Sequence, residues 1–168
     1  MKPCFGVCLG GILLLASLLS SAQQAKPGML SAEELKKVVP STYFFRGQSG
    51  AVQFRNSAGF RGQDGKLVLA GFVDTSGYAA DLAEKYQGFL ITELKLDIEG
   101  SELPPGEYGF GFSKDGKFVV MDVGANDLLS VSSKRDEDLK RPVPLKIVED
   151  RGGYKLYAGK NWVTVKVK

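Results

Sequence analysis

The chain has 168 residues, of which 43% are hydrophobic and 24% charged, and its formal net charge is +3 at pH 7. A charge so close to zero gives no electrostatic reason to expect binding to nucleic acid or to an acidic membrane surface. The sequence contains no histidine, and its two cysteines, Cys4 and Cys8, both lie near the amino terminus.

Residues 1–22 have the pattern of an export signal. Lys2 gives a positive start, an apolar run follows, and small residues end the segment at Ala22. We expect cleavage after Ala22, and a cut after Ala25 is an alternative with the same spacing of small residues. Retention as a membrane anchor is a further alternative, because no charge lies between Lys2 and Lys26. Cleavage predicts an exported protein, periplasmic or extracellular, with no integral membrane span.

Loss of the signal would leave a domain with neither cysteine nor histidine. Such a domain has no disulfide, no thiol nucleophile, no Ser-His-Asp triad and no Cys/His zinc site. Catalysis would then depend on carboxylates, tyrosine, lysine or a hard metal ion. We predict no cofactor, and we expect a hydrophobic core rather than disulfides to hold the fold.

Residues 23–40 are predicted to be a polar lead-in followed by one short helix. Ser31 is a candidate N-cap, and Glu34 three residues later completes the pattern of a capping box. The helix is expected to run to about Val38, because Pro40 cannot continue it.

Residues 41–168 show the two-residue period of β-strands and are predicted to form a single β-rich domain. Leu67–Val73 is apolar on both faces, which predicts a central strand. Leu90–Ile98 alternates between apolar and polar residues, which predicts one half-buried strand. The inward side chains of this strand and of the last strand would be Leu90, Thr92, Leu94, Leu96, Ile98, Val163, Val165 and Val167.

Turn residues separate the apolar runs. Asp64-Gly65, Asp115-Gly116 and Gly152-Gly153 each lie between two of them. The runs at 108–112 and 117–121 flank the second of these turns and form the clearest predicted hairpin. Roughly nine short strands can be counted, which is typical of an antiparallel β-barrel or β-sandwich with one or two short helices.

A second helix is predicted between these strands. Thr75 and Ser76 are candidate caps for it, and Gly88 is a candidate end. Residues spaced four apart would form its apolar face, namely Tyr78, Leu82 and Tyr86. Such a helix would lie across the sheet or close one end of a barrel.

The segment 43–61 carries the candidate binding surface. In a strand over 51–56, Gln53 and Arg55 would share one face and the apolar residues between them the other. A turn at Gln48-Ser49-Gly50 would pair this strand with the preceding run and bring arginines, amides and an aromatic ring together. The candidate binding residues are Tyr43, Arg46, Gln48, Gln53, Arg55, Asn56 and Arg61.

Two interpretations of this surface remain open. Arginine and amide groups beside an aromatic wall suit a carboxylate, a sugar or a peptide. A solvent-facing hairpin without a ligand would show the same alternation, because antiparallel sheets commonly have one polar face.

Asp74 and Tyr78 form a second candidate group, at the end of the predicted central strand. One interpretation is a carboxylate–tyrosine pair in a pocket. The other is that Asp74, with Thr75 and Ser76, caps a helix. Asp122–Asp127 also carries several oxygen-bearing side chains, but it lacks calcium-loop spacing, so we interpret it as a turn and predict no metal site.

The stretch Gly100–Tyr108 reads GSELPPGEY, and strands are predicted on both sides of it. This stretch resembles the G-x-x-L-P-x-G-x-Y turn of uncharacterised secreted bacterial β-domain proteins. The resemblance is confined to the turn. It implies an exported β-domain and assigns no activity and no site residue.

The sequence therefore predicts an exported, non-catalytic β-domain that is envelope-associated or binds a partner. Its partner would be a protein, a glycan or a small-molecule ligand. Two alternatives remain: a hydrolase or lyase using Asp74, Tyr78 or other carboxylates, and a small barrel carrying an apolar ligand. A structure distinguishes them by showing whether two carboxylates meet in a concave pocket and whether the interior is filled.

Overall fold

The computed structural model describes residues 26–168. The predicted export signal and both cleavage sites lie outside these residues. This part of the chain contains two helices, α1 Ala32–Val38 and α2 Ala80–Ala83. The strands are β1 Gly28–Met29, β2 Thr42–Phe45, β3 Gln48–Arg61, β4 Leu67–Val73, β5 Gly88–Thr92, β6 Leu96–Ile98, β7 Ser101–Leu103, β8 Gly106–Phe112, β9 Lys117–Met121, β10 Asp127–Ser132, β11 Lys134–Arg135, β12 Val143–Asp150, β13 Gly153–Gly159 and β14 Asn161–Val167.

The strands form two antiparallel sheets in a sandwich-like arrangement, which confirms the predicted mainly β class. The first sheet has the order β1-β3-β4-β5-β8-β9-β10, and β2 pairs with β3 beside it. The second has the order β12-β13-β14-β6-β7, and β11 pairs with β14. Residues 26–168 thus contain 14 strands instead of the roughly nine predicted, because several short pairings have no turn signal of their own.

The two sheets enclose a core of aliphatic residues and phenylalanines. Phe60, Phe110 and Phe118 from the first sheet are buried in it together with Leu156 and Val163 from the second. The space between the sheets is therefore filled by side chains. A filled interior does not fit the carrier of an apolar ligand, which needs an open one.

The opposite face of the first sheet carries a separate core, which we call the outer core. Side chains alternate between the two cores along a strand, so Val119 and Met121 of β9 belong to the outer core while Phe118 and Val120 belong to the inter-sheet core. The outer core is covered by the α1 and α2 regions and by β2. Its aromatic members are Tyr43, Phe45, Tyr78, Tyr86 and Phe89.

Helix α1 confirms its prediction from the sequence. The Ser31 side chain accepts a hydrogen bond from the Glu34 amide, and the Glu34 carboxylate accepts one from the Ser31 amide, which is a complete capping box. Leu35 is buried in the outer core and anchors the helix to the first sheet.

Helix α2 is shorter than predicted and begins later. Thr75 and Ser76 do not cap it, because the chain first makes a turn in which the Tyr78 amide donates to the Thr75 carbonyl. The N-cap is Ala79, with no side-chain hydrogen bond. Gly88 does not end the helix but begins β5. The predicted apolar face is nevertheless correct, since Tyr78, Leu82 and Tyr86 are all buried together.

The predicted strand Leu90–Ile98 is two strands, β5 and β6, one in each sheet. The chain changes sheet between them, where the Thr92 hydroxyl donates to the Leu94 carbonyl. Alternation continues through the break because both halves face the inter-sheet core, so all five predicted inward residues are buried. Val163 and Val165 are also buried as predicted, whereas Val167 at the chain end is exposed.

The remaining strand predictions are largely confirmed. The hairpin of β8 and β9 has the predicted turn, and β4 lies in the middle of the first sheet between β3 and β5. Neither helix in residues 26–168 has the length and apolar character needed to cross a membrane.

Candidate functional site

The hairpin of β2 and β3 turns earlier than predicted. The turn residues are Arg46 and Gly47, both with positive φ (44° and 81°), as in the tight two-residue turns that suit hairpins. Phe45 pairs with Gln48, so the predicted turn at Gln48-Ser49-Gly50 is wrong. Gly50 serves a different purpose, since a Cβ there would collide with Val73 of β4.

The second half of the candidate segment bulges away from β4. Val52 pairs with Val73, but the next pair along the strands is Ser57 with Gly71, so β3 has three more residues than β4 over this interval. The bulge is braced internally, because the Asn56 side-chain amide donates to Gln53 Oε1 at 2.7 Å. Gln53 and Arg55 are exposed on it, as the sequence predicts.

The candidate binding residues are not brought to a single surface. Tyr43 is buried against Phe89, with ring centroids 5.3 Å apart, and the ring that β2 exposes is Phe44. Arg46 lies at the hairpin turn, away from the bulge that carries Gln53. Gln48 is exposed beside that turn.

Arg61 lies at the far end of β3, where it has a structural role. Its guanidinium donates to the Gly65 carbonyl at 3.1 Å and lies 3.6 Å from a Glu34 carboxylate oxygen. It therefore ties the β3–β4 turn to helix α1. Arg61 is therefore separated from the bulge by about half the length of β3.

Asp74 and Tyr78 do not form a carboxylate–tyrosine pair. Asp74 Oδ1 accepts a hydrogen bond from the Ser76 amide at 3.0 Å, and this bond lowers the pKa of the exposed carboxyl. The Tyr78 hydroxyl donates inward to the Phe45 carbonyl at 3.1 Å, and burial raises its pKa. Asp74 therefore organises a local turn, and Tyr78 fastens α2 to the β2–β3 hairpin.

A pocket of about 410 Å³ lies next to Asp74, at one end of the sandwich. We call it the end pocket. Both sheets contribute to it. The first sheet supplies the β3 bulge, the end of β4 with the residues that follow, the residue before β5 and the end of β8. The second sheet supplies the turn between β13 and β14. Its lining residues are Gln53, Phe72, Val73, Thr75, Gln87, Phe112, Ala158, Gly159 and Asn161.

The lining combines neutral polar groups with aromatic rings. Gln87 is held in place by two hydrogen bonds with the Phe112 backbone, one from its Nε2 at 2.9 Å and one to its Oε1 at 3.1 Å. The ring of Phe72 is half-buried and packs 6.3 Å from that of Phe110, which fixes its orientation. The pocket thus has a rigid floor and wall supplied by the ends of the first sheet.

Several polar groups of the end pocket have no side-chain partner within residues 26–168. Gln53 accepts a bond from Asn56 but donates none, and the side chains of Thr75 and Asn161 form no hydrogen bond in this part of the chain. Thr75 and Asn161 are half-buried. These groups can act as donors and acceptors for a ligand.

A second pocket, of about 300 Å³, contains two consecutive carboxylates, Glu149 and Asp150. Consecutive residues of a strand point to opposite faces, so these two groups do not converge. Asp150 is also paired with Lys155 at 3.0 Å, and the hydrogen bond from this lysine lowers the pKa of its carboxyl. This arrangement does not fit the two cooperating acids of a glycoside hydrolase.

The acidic segment between β9 and β10 is a turn, as predicted. Asp122 Oδ1 accepts hydrogen bonds from the amides of Gly124 and Asn126, each at 2.9 Å. Asp127 points elsewhere and pairs with Lys85 at 2.7 Å. Within the part of the chain that the structure describes, no three His, Cys, Asp or Glu side chains are grouped as metal ligands are.

Comparisons of this chain with protein-family models, with curated proteins and with solved structures found no match. The resemblance of Gly100–Tyr108 to secreted bacterial β-proteins therefore stays a prediction. The end pocket has to be interpreted from its own chemistry.

The sequence identified only one lining residue of the end pocket in advance, Gln53. Phe72, Gln87 and Asn161 lie in separate elements and have no shared motif. Each lies at or next to the end of a strand, and side chains at strand ends meet where a sandwich closes. A position at a strand end was therefore the one feature of the sequence that could have indicated these residues. It did not show which strand ends would be neighbours in the fold.

Proposed function

We propose that this protein is an exported, non-catalytic β-domain whose end pocket binds a neutral, hydroxyl-rich ligand such as a segment of a glycan. The observation that carries the proposal is the lining of the pocket. It offers the Asn161 amide, the Thr75 hydroxyl and the Gln53 amide nitrogen, which have no side-chain partner within residues 26–168, beside the ring of Phe72, and none of the lining residues in this range is charged. A pocket of about 410 Å³ lies within the range of small-ligand sites.

The chemistry of a sugar matches this lining. A sugar hydroxyl both donates and accepts, and so do the amides of Gln53 and Asn161 and the hydroxyl of Thr75. The apolar face of a sugar ring can pack on the flat ring of Phe72, as apolar ligand surfaces commonly pack on aromatic side chains. An anionic ligand would find no cationic partner among these residues.

The same lining supports a binding function in preference to catalysis. Without histidine and cysteine, catalysis has to use carboxylates, tyrosine or lysine. None of these is among the residues that line the end pocket. Asp74, the nearest candidate acid in sequence, is engaged by the Ser76 amide. The lining of the end pocket within residues 26–168 therefore offers no pair of carboxylates that would support the hydrolase or lyase alternative.

Export is a separate part of the proposal and rests on the pattern of residues 1–22. A glycan-binding domain beyond the inner membrane would meet the polysaccharides of the cell envelope or of the surroundings. The near-neutral charge of the chain fits a neutral glycan better than an acidic polymer.

A glycan array probed with the purified protein tests the proposed function. We expect binding to neutral oligosaccharides and loss of binding in Asn161→Ala and in Gln53→Ala. The matched control is Arg46→Ala/Arg55→Ala, which removes two of the three arginines of the surface predicted from the sequence and leaves the lining of the end pocket intact. Binding that depends on these arginines and not on Asn161 would contradict the end pocket and favour the hairpin surface.

A further inference from the structure

A second concave surface lies on the outer side of the first sheet, next to the β2–β3 hairpin. We call it the hairpin groove; its volume is about 350 Å³. Ile91 and Glu107, which are paired across β5 and β8, form part of it. The lining residues are Val38, Pro40, Thr42, Tyr43, Phe44, Ile91, Glu107 and Val123.

The walls of the hairpin groove are apolar and open to solvent. Phe44 is 58% exposed and Val123 is 44% exposed, and both are among the large apolar side chains that residues 26–168 leave exposed. The Arg46 amide donates to the Val123 carbonyl at 2.8 Å, which holds the hairpin turn against the β9–β10 turn. Isolated exposed apolar residues are ordinary, and here two of them lie on the rim of one groove, where a partner could cover both.

Glu107 is the only charged residue among those that line the groove. Its carboxylate forms no ion pair and no side-chain hydrogen bond within residues 26–168, although twelve ion pairs engage other acidic groups there. Glu102, on the preceding strand β7 of the second sheet, instead contacts both Lys95 and Lys168. Glu107 is solvent-exposed, so its carboxylate is accessible to a cation that enters the groove.

The Tyr43 hydroxyl adds a second polar group at this place. It is buried and has no hydrogen-bond partner within residues 26–168. Burial and, to a lesser extent, the charge of Glu107 raise the pKa of the phenol, so it stays neutral and its oxygen remains an acceptor. A buried hydroxyl without a partner is unusual enough to require an explanation.

We propose that the hairpin groove binds the side chain of a lysine from a polypeptide partner. The aliphatic stem would pack between Phe44, Val123 and Ile91, and the ammonium group would pair with Glu107. An ammonium has three donors, and the Tyr43 oxygen at the groove is an acceptor without a partner within residues 26–168. A groove of about 350 Å³ has room for a lysine side chain with its flanking backbone, and its exposed rim suits the surface of a partner protein.

Nuclear magnetic resonance titrations with short peptides test this site. The probe is acetyl-Gly-Lys-Gly-amide, and the matched control replaces lysine by norleucine, which keeps the stem and removes the charge. We expect the lysine peptide to shift the amide resonances of Phe44, Ile91, Glu107 and Val123, with an affinity on the order of millimolar for so small a contact. Equal shifts with norleucine would overturn the proposal.

Two variants make the test specific to the groove. Glu107→Gln keeps the shape of the side chain and should weaken the lysine peptide at least about tenfold, as loss of a charge-assisted contact does. Glu149→Gln removes the same charge on the second sheet and should leave binding unchanged. Unaltered binding by Glu107→Gln, with an unaltered melting temperature, would contradict the site.

A third titration distinguishes a lysine of a polypeptide from a free small amine as the source of the ammonium group. Pentylamine has the stem and charge of lysine without the peptide backbone. We expect it to bind no more tightly than the lysine peptide. Binding of pentylamine without binding of the peptide would overturn the assignment to a polypeptide partner. These outcomes are independent of the end pocket, which lies at a different place on the molecule and carries no charge.

Discussion

The two cores on either side of the first sheet differ in whether their buried tyrosine hydroxyls are hydrogen-bonded. In the inter-sheet core, the buried tyrosine is Tyr108, and its hydroxyl donates to the Pro104 carbonyl at 2.9 Å. In the outer core, Tyr78 is bonded in the same way, but the hydroxyls of Tyr43 and Tyr86 have no partner within residues 26–168.

We interpret this difference as a division between a core that stabilises the fold and a layer that shapes the two proposed sites. The inter-sheet core joins both sheets with hydrocarbon and phenylalanine side chains and should supply most of the free energy of folding. The outer core instead positions the β2–β3 hairpin, which supplies the wall of the hairpin groove and leads into the bulge of the end pocket. Buried hydroxyls without partners reduce the stability of this layer.

The largest expected effect is from truncation in the inter-sheet core. Phe110 is fully buried, with its ring 5.7 Å from that of Phe118. Phe110→Ala should lower the free energy of unfolding by about 3–5 kcal/mol, because it removes apolar contacts and leaves a cavity. Chemical denaturation measures this, with exposed Phe44→Ala as the control. Similar costs for the two variants would mean that the inter-sheet core does not dominate stability.

Alkaline pH should weaken the outer core. Burial raises the pKa of both Tyr43 and Tyr86 above the value of about 10 expected in the unfolded chain. The unfolded state then loses protons that the folded state keeps. Stability should therefore be intact below pH 10 and fall above it, by about 1.4 kcal/mol per pH unit for each such tyrosine.

Ultraviolet titration of phenolate formation checks this expectation. The chain has six tyrosines, and Tyr43 and Tyr86 should ionise only as the protein unfolds. In Tyr43→Phe/Tyr86→Phe, the decline in stability above pH 10 should be shallower. Complete ionisation of all six tyrosines in the folded protein would contradict the assignment.

A matched pair of tyrosine variants compares the two cores directly. Tyr108→Phe leaves the buried Pro104 carbonyl without its donor and should destabilise the protein by about 1 kcal/mol. Tyr86→Phe removes a hydroxyl that has no hydrogen-bond partner within residues 26–168 and should be neutral or stabilise the protein by about 1 kcal/mol. If Tyr86→Phe lowers the free energy of unfolding as much as Tyr108→Phe does, the proposed difference between the cores is wrong.

The smallest expected effect concerns the hairpin turn. Arg46 has a φ of 44°, a conformation that asparagine adopts more readily than arginine. Arg46→Asn should stabilise the protein by about 0.3–1 kcal/mol, because Asn-Gly is a preferred pair in such turns. Thermal denaturation measures the gain. A loss of stability would indicate that the Arg46 side chain makes a contribution that the geometry does not show.

Local patterns account for the parts of the fold that the sequence predicted. The capping box of Ser31 and Glu34 involves neighbours only, and the turn at Asp115-Gly116 needs no distant partner. The break within Leu90–Ile98 was missed because the two-residue alternation continues while the chain changes sheet. The hairpin register was missed because Gly50 looked like the turn glycine, and only the packing against Val73 shows what Gly50 does.

The candidate site depended on distant contacts and was therefore mostly beyond prediction. Gln53 was identified from its place on a polar face. Phe72, Gln87 and Asn161 meet it only because strands from two sheets end at the same place. The burial of Tyr43 was missed for a related reason, since the alternation along β2 does not show which face is covered by the first sheet.

The most direct test of the account is a titration of the isotopically labelled protein with neutral chito-, cello- and malto-oligosaccharides, followed by nuclear magnetic resonance. The account predicts that at least one series shifts the resonances of Gln53, Phe72, Thr75, Gln87 and Asn161. It also predicts that Asn161→Ala weakens this binding about tenfold while the melting temperature is preserved. No shift at these residues with any neutral glycan, or binding unchanged in Asn161→Ala, would contradict the assignment of the end pocket.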